Sequence, residues 1–187
     1  MSGDVTAEKQ VAVLQHFVDR YPDDLRGVQD ALNDSEMPEA ARRVLVGGLN
    51  YGLDMLDMFP DHFKGIGIAD DAMILRLAAK QAVAAGAEQA ALDLLANEAS
   101  DVAQVLGDLF DPLEQLVAKL PEREVRGRTV DKILSHKDTR IFFDADVSRE
   151  AKRHVPQPIE MVGGPERAII ELRKMVQHGL KKAGIVT

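Results

Sequence analysis

Four carboxylates that lie close together in the sequence are the residues whose types and spacing could best support chemistry. Asp57 and Asp61 lie on either side of Pro60, and Asp70 and Asp71 follow a short glycine-containing segment. Carboxylate oxygens are ligands that Mg²⁺ and Ca²⁺ prefer, so these four residues are candidate ligands of a divalent cation. Their spacing differs from the D-x-D-x-D-G run of an EF-hand loop. A cation bound here would indicate a metal-dependent enzyme or a metal-regulated switch.

The same carboxylates also have a structural interpretation. Asp70 and Asp71 stand where a predicted helix begins, and carboxylates there accept hydrogen bonds from free N–H groups and oppose the helix dipole. Asp57 and Asp61 can cap turns around Pro60 in the same way. Because capping explains all four residues without a ligand, we prefer it and expect no cofactor.

These carboxylates lie in an elbow, residues 51–75, between the two most apolar helical patterns of the chain. The pattern before the elbow begins near residues 35–38 and ends at about Leu56. Its Gly47 and Gly48 weaken a helix by about 1 kcal/mol each, which predicts close approach of a neighbouring helix. The pattern after the elbow runs from Asp70 to about Asn97. It is apolar around most of its circumference, which predicts a buried helix at the centre of a bundle.

Further helices are predicted on both sides of this hairpin. Thr6 can cap a first helix, and Pro22 is typical of the first turn of a second, short helix. An apolar stripe runs from Val102 to Leu120 and keeps its phase through Pro112, which predicts a kinked helix.

The signal is weaker after residue 121. The sequence around Gly127 predicts a charged helix, and residues 140–143 are a short apolar segment that could form a strand or a turn. Pro165 opens a final helix, because four apolar residues follow at helical spacing. They are Ile169, Leu172, Val176 and Leu180.

These patterns predict an all-α protein: a helical bundle around a central buried helical hairpin, with a C-terminal helical extension. We place the bundle in residues 1–121, its hairpin in residues 36–97, and the extension in residues 122–187. The composition favours this class because only 4% of residues are aromatic and none is Trp, so the core must be aliphatic. The absence of cysteine excludes disulfides and thiolate chemistry.

Charge is divided unevenly along the chain, whose net charge is −8. Residues 1–121 hold 21 acidic and 9 basic residues, a net charge of −12, whereas residues 122–187 hold 10 acidic and 14 basic residues, a net charge of +4. This asymmetry predicts a basic extension that docks on its own acidic body or on an acidic partner. The N-terminus lacks the pattern of a signal peptide, and the longest run without a charge, residues 44–53, is too short for a membrane span. We therefore expect a cytoplasmic protein with no transmembrane segment.

The elbow resembles the YkvA-like domain-of-unknown-function family, whose pattern is roughly Y-x-x-S-P-x-D-x-x-P-D, five residues, then G-x-x-D-D-A. The matching residues fall on it without a gap: Tyr51, Asp57, Pro60, Asp61, Gly67, Asp70, Asp71 and Ala72. The resemblance covers about residues 36–85. The chain departs from the pattern at Asp54-Met55, which replace the S-P pair, and at the polar residues His62 and Lys64. The resemblance implies a helical hairpin and no known activity.

Three functions remain open from the sequence. The first is a non-enzymatic interaction or scaffold domain that binds a protein partner or a second copy of itself. The second is the metal-dependent enzyme or switch at the acidic elbow. The third is a peripheral membrane protein, which requires the final helix to expose its apolar stripe. Nucleic acid is not an expected partner, because the basic residues from Arg126 to Arg140 have no interleaved aromatic residues.

Overall fold

The computed structural model describes residues 6–54, 58, 66–160 and 162–187, and within these ranges the chain is all-α with no β-strand. In chain order the helices are α1 (Ala7–Ala31), α2 (Glu39–Tyr51), α3 (Ala69–Ala84), α4 (Ala90–Leu106), α5 (Phe110–Lys119), α6 (Val130–Ser135), α7 (Lys137–Arg153) and α8 (Pro165–Lys182). Short 3₁₀ turns lie at Ile66–Ile68, Gly107–Leu109 and Leu120–Glu122.

Helix α3 is the centre of the bundle, as its sequence predicts. Every residue from 69 to 79 is buried, and α3 contacts α1, α2, α4 and α5. The glycine pair of α2 also has the predicted role, because a Cβ atom at Gly48 would lie only 2.8 Å from the Cβ of Ala78. Gly47 instead faces the backbone of Leu120 and Pro121. The glycines therefore let α2 approach α3 on one side and the turn after α5 on the other.

The prediction of one continuous helix from Asp70 to Asn97 is wrong, because α3 ends at Ala84 and α4 begins at Ala90. The chain turns at Gly86, whose φ of +95° lies in the left-handed region that favours glycine. The residues before and after the turn are equally rich in alanine. The apolar pattern therefore does not predict where α3 ends. The residue in the sequence that marks the turn is Gly86.

The prediction that a short second helix begins at Pro22 is also wrong, because α1 continues through this residue. Apolar packing explains the continuity, since buried side chains lie on one face both before and after the proline. Pro22 has no N–H to donate to the carbonyl of Val18. The ring of His154 lies against that carbonyl, which raises the pKa of His154 while burial lowers it more strongly.

The stripe from Val102 to Leu120 breaks at Gly107 and not at Pro112. Gly107 has a φ of +60° and ends α4, and Pro112 lies in the first turn of α5. In a first turn the missing N–H of a proline leaves no helical hydrogen bond unmade. The predicted kink at Pro112 is therefore wrong.

The predictions for residues 122–153 are corrected as well. The sequence around Gly127 forms a tight turn in which Val125 and Arg128 pair through their backbones, because Arg126 and Gly127 both have positive φ. Thr129 then caps α6. Residues 140–143 belong to α7, which buries Phe143. Helical spacing explains why the segment buries Phe143 but leaves Phe142 exposed, since successive residues of a helix point to different sides.

Helix α8 packs on α1 and α5 of its own chain. Its four predicted stripe residues are buried, so the membrane alternative lacks the exposed stripe that it requires. Arg173 adds a hydrogen bond of 2.8 Å from its Nε to the carbonyl of Val105. Among the described residues, no basic side chain of α8 forms an ion pair with a carboxylate of residues 1–121. Apolar burial, rather than the predicted charge attraction, holds α8 in place.

Gly48→Ala tests the close contact of α2 with α3. We expect it to destabilise the fold by about 1–3 kcal/mol, because the added methyl group meets Ala78 in a packed core. Ala78→Gly in the same chain should recover part of this loss, since it removes the opposing methyl group. Urea unfolding of both variants measures the difference.

Gly27→Ala in α1 is the matched control. A Cβ at Gly27 would lie at an ordinary 3.4 Å from Ala91, so helix propensity should make this change neutral or stabilising by up to about 1 kcal/mol. Equal losses from Gly48→Ala and Gly27→Ala would show that the approach of α2 to α3 is not the cause.

Candidate functional site

The elbow is held by a hydrogen-bonded group of three residues, Tyr51, Met58 and Asp70. The hydroxyl of Tyr51, at the end of α2, donates to the Asp70 Oδ2 atom at 2.8 Å. The backbone N–H of Met58 lies 3.0 Å from the Tyr51 hydroxyl and 3.1 Å from the same Asp70 oxygen. This group joins the end of α2, at Tyr51, to the first turn of α3, at Asp70, and both residues bind the backbone of Met58.

Burial strongly affects the acidity of this group. Asp70 is fully buried, and burial raises its pKa to about 7, against the opposing effect of the hydrogen bonds from Tyr51 and Met58 and of nearby backbone N–H groups. Burial also raises the pKa of Tyr51, and the neighbouring carboxylates Asp70 and Asp71 raise it further. Tyr51 therefore stays protonated and donates, whereas Asp70 can change its charge near neutral pH.

A glycine at the end of α2 allows this arrangement. A Cβ atom at Gly52 would lie 2.5 Å from the Tyr21 hydroxyl and 3.7 Å from the Asp71 Cγ atom. Any larger residue would therefore displace the Tyr21 side chain of α1. The small residue brings α1, α2 and α3 together at the start of the elbow.

Two of the four candidate metal ligands can be placed. Asp70 and Asp71 lie in the first turn of α3, as predicted. The N-cap of α3 is Ile68, which makes no side-chain cap bond, and the Oδ2 of Asp70 accepts from Tyr51 and Met58 across the elbow. Backbone N–H groups of Asp70 and Asp71 also act on the Asp70 carboxyl, so Asp70 keeps the predicted position at the start of α3 and in addition joins separate elements.

The other two candidates, Asp57 and Asp61, lie outside the described residues, as does His62. Within the described part of the chain, no group of three or more His, Cys, Asp or Glu side chains could hold a metal ion.

A cavity of about 530 Å³ lies beside this group, between the ends of α2, α5 and α8. We call it the basic pocket. Its lining combines apolar side chains with three cations and one carboxylate: Tyr51, Met58, Leu116, Lys119, Leu120, Glu122, Arg123, Gly179, Lys182, Ala183 and Ile185. Asp70 does not line it.

The cations of the basic pocket differ in their partners. Arg123 forms an ion pair of 2.6 Å with Asp54, and its guanidinium carbon lies 5.5 Å from the centre of the Tyr51 ring. Lys119 and Lys182 are exposed, and neither forms an ion pair with any described carboxylate. Two ammonium groups therefore face the pocket without an ion pair to any described carboxylate, and Glu122 is the described carboxylate in the lining.

Met58 and α8 together form one wall of the basic pocket. A Cβ atom at Gly179 would overlap the Met58 side chain, which lies directly on the α8 backbone at this point. The backbone of Met58 is meanwhile fixed by Tyr51 and Asp70. The wall between the pocket and the Tyr51–Asp70 pair thus depends on a glycine of α8.

A second cleft of about 530 Å³, between α2, α6 and α7, also contains arginines, but these already have partners. Arg42 donates to the carbonyls of Leu32, Asp34 and Met37. Arg43 pairs with Asp131, and Arg140 pairs with Asp144. Arg128 likewise pairs with Asp146 at 2.8 Å. Arg128 and Arg140 both belong to the basic residues that were predicted to form a solvated helix face, so two of these residues pair with carboxylates of their own chain.

Sequence reasoning missed the basic pocket. Lys119, Arg123 and Lys182 come from the end of α5, the turn after it and the end of α8. No spacing in the sequence relates Lys182 to the other two. The one available signal is that all three follow apolar stripes at the ends of predicted helices.

Comparison of the chain with protein-family models, with curated proteins and with solved structures finds no match. Among the described residues, no helix is long and apolar enough to cross a membrane.

Asp70→Asn should flatten the dependence of stability on pH. The raised pKa of about 7 means that folded Asp70 holds a proton that the unfolded chain has released above its ordinary value of 3.8. The contribution of Asp70 to stability is therefore full below about pH 4 and is lost as the pH rises to 7, by at most about 1.4 kcal/mol per pH unit. Urea unfolding between pH 4 and 8 measures this slope.

Asp93→Asn is the matched control for this experiment. Asp93 also lies in the first turn of a helix, α4, but it is exposed. Its variant should keep the slope of the unchanged protein. If the Asp70→Asn curve ran parallel to that of the unchanged protein, the proton on buried Asp70 would not be the cause.

Millimolar Mg²⁺ or Ca²⁺ should leave the melting temperature nearly unchanged. Only a ligand that prefers the folded state raises stability, and one oxygen of Asp70 already accepts two hydrogen bonds. Thermal melting with and without each cation measures the effect. A rise of several degrees that Asp57→Asn or Asp61→Asn abolishes would establish the metal alternative.

Proposed function

We propose that the protein is a non-enzymatic interaction module that binds a protein partner in the basic pocket. The observation that supports this proposal is the pair of ammonium groups of Lys119 and Lys182, which lie beside an apolar pocket wall and form no ion pair with a described carboxylate. The expected ligand is a segment that presents an acidic residue next to a large apolar side chain. Its carboxylate would lie between the two lysines.

The size and lining of the basic pocket fit such a segment. Its volume of about 530 Å³ is within the range of pockets that enclose small ligands or a few side chains. Leu116, Leu120 and Ile185 supply apolar surface, and burying one large apolar side chain there is favourable by about 1.5–3 kcal/mol. The carboxylate adds specificity rather than most of the affinity, since ion pairs in water are weak.

The contrast with the second cleft favours the basic pocket as the site. The arginines of that cleft bind carbonyls and carboxylates of their own chain, so an anion would have to displace existing partners. Lys119 and Lys182 form no ion pair with a described carboxylate, so an anion would displace no described partner. The whole chain carries a charge of −8, so attraction for an acidic partner must be local, within about 8 Å at physiological salt.

The position of Asp70 supports a binding role rather than catalysis. Burial raises the pKa of Asp70 to about 7, and a pKa near neutral pH is the property expected of a general base. Its side chain is fully buried behind Met58 and Tyr51 and does not line the pocket. A ligand in the basic pocket would therefore not contact Asp70.

The resemblance to the YkvA-like family is part of this proposal. The described residues that carry the resemblance meet in one place: Tyr51, Gly67, Asp70, Asp71 and Ala72 are all buried at the elbow. In this interpretation the shared pattern preserves a hairpin joined by the Tyr51–Asp70 hydrogen bond. The residues of the basic pocket from α5 and α8 lie outside the stretch that carries the resemblance.

Selection of random peptides by display on the full chain tests the proposal. Enriched peptides should contain Asp or Glu next to Leu, Ile, Met or Phe. Lys119→Glu with Lys182→Glu should weaken binding of these peptides at least tenfold, because two attractive charges become repulsive. Fluorescence anisotropy of a labelled peptide measures the affinity.

Lys9→Glu with Lys132→Glu makes the same change in net charge at exposed sites outside the pocket and should bind as the unchanged chain does. Equal weakening by both pairs would indicate a long-range charge effect without a site. Enriched peptides without acidic residues, or binding that survives Lys119→Glu with Lys182→Glu, would contradict the proposal.

A further inference from the structure

Helix α7 presents apolar side chains to solvent on the side opposite its buried face. Phe143, Val147 and Ala151 face the core, whereas Phe142 is 68% exposed and Ile141 is 53% exposed. Contiguous apolar surface that is exposed to solvent can mark an interaction site. None of these residues lines the basic pocket, so the feature is independent of the proposed function.

The exposed face of α7 has a charge at each end. Asp138, Phe142, Ala145 and Arg149 are all exposed, and their spacing of four, three and four residues places them on one stripe of a helix. An acid therefore stands at one end of the stripe, a base at the other, and a large and a small apolar residue between them.

This order is complementary to itself when the helix is reversed. Asp138 and Arg149 have the same midpoint along α7 as Phe142 and Ala145. In an antiparallel pair related by a two-fold axis at this midpoint, Asp138 lies opposite Arg149 of the second copy, and Phe142 lies opposite Ala145 of the second copy. We propose that this stripe is a self-association surface, and that the chain forms a symmetric dimer through antiparallel α7 helices.

The ion pairs of the single chain leave this arrangement open. Arg149 pairs with Asp146 at 2.8 Å, but its side chain is 71% exposed. Asp146 also receives Arg128, at 2.8 Å from its other oxygen. Arg149 can therefore turn to Asp138 of the second copy while Asp146 keeps a partner.

The size of the surface predicts a weak dimer. Helix α7 has 17 residues and is about 25 Å long. One helix pair of this length buries less than the roughly 1,200 Å² of stable interfaces. The dimer should therefore form at micromolar or higher concentrations. The two Asp138–Arg149 pairs should determine how the two helices are aligned along their axes.

Sedimentation equilibrium of the full chain over a wide concentration range, up to about 500 µM, tests the proposal. The unchanged chain should show a monomer–dimer equilibrium. Asp138→Arg alone and Arg149→Asp alone should each raise the dissociation constant at least tenfold, because each places like charges opposite one another twice. Both side chains are exposed, so melting temperatures should stay close to that of the unchanged chain.

Two combinations separate this geometry from a general charge effect. An equimolar mixture of the two single variants should form a heterodimer, since each new charge then meets its opposite. The chain carrying both substitutions should form a homodimer again, for the same reason. Phe142→Ser should weaken every one of these dimers.

Leu94→Ser is the matched control, because Leu94 is an exposed apolar residue of α4, 46% exposed, and it should leave the equilibrium unchanged. Lys119→Glu with Lys182→Glu should also dimerise normally, which separates this surface from the basic pocket. A monomer at all concentrations would overturn the proposal. A dimer that both single charge variants keep, or a mixture that does not restore association, would overturn it equally.

Discussion

A guanidinium group with no exposure to solvent lies in the middle of the bundle and determines how three helices meet. Arg76 of the buried helix α3 bonds Asp24 of α1 at 3.0 Å and Glu98 of α4 at 2.8 Å. It also donates to the carbonyl of Ala72 and lies 3.8 Å from the centre of the Phe17 ring. Burial lowers the pKa of Arg76 and raises that of Asp24, so each charge depends on the others. Loss of one partner from such a group costs about 3–5 kcal/mol, and α1, α3 and α4 must therefore keep their relative positions.

The Tyr51–Asp70 hydrogen bond depends on the fixed position of α3. One end of α3 carries Asp70, which must reach Tyr51 across the elbow, and its middle touches α2 at Gly48, where the helices are too close for a side chain. Rotation or translation of α3 would break the bonds of Arg76 and the bond from Tyr51 together. The wall of the basic pocket at Met58 thus depends on a network that has no contact with the pocket itself.

The sequence predicted the elements whose signal is periodic. The buried character of α3, the glycine contact of α2 and the apolar stripe of α8 all follow from spacing, and the structure confirms them. The errors occurred where a helix ends or continues against its local signal. Pro22 lies inside α1 because buried residues on both sides outweigh one missing hydrogen bond, and Gly86 and Gly107 end helices within uniformly apolar sequence. The basic pocket could not be predicted, because Lys119 and Lys182 meet only through the packing of α8.

The attachment of α8 explains why Lys182 forms no ion pair with a described carboxylate of the body. The excess of basic residues after position 121 predicts attraction to the acidic body, but α8 is held by its apolar stripe and by a hydrogen bond from Arg173 to a backbone carbonyl. Neither interaction involves a lysine ammonium group. If Lys182 paired with a carboxylate of the body, an acidic ligand would have to displace that carboxylate before it could bind. Apolar burial stabilises α8, and the charge at its C-terminal end remains available for the acidic ligand that we propose.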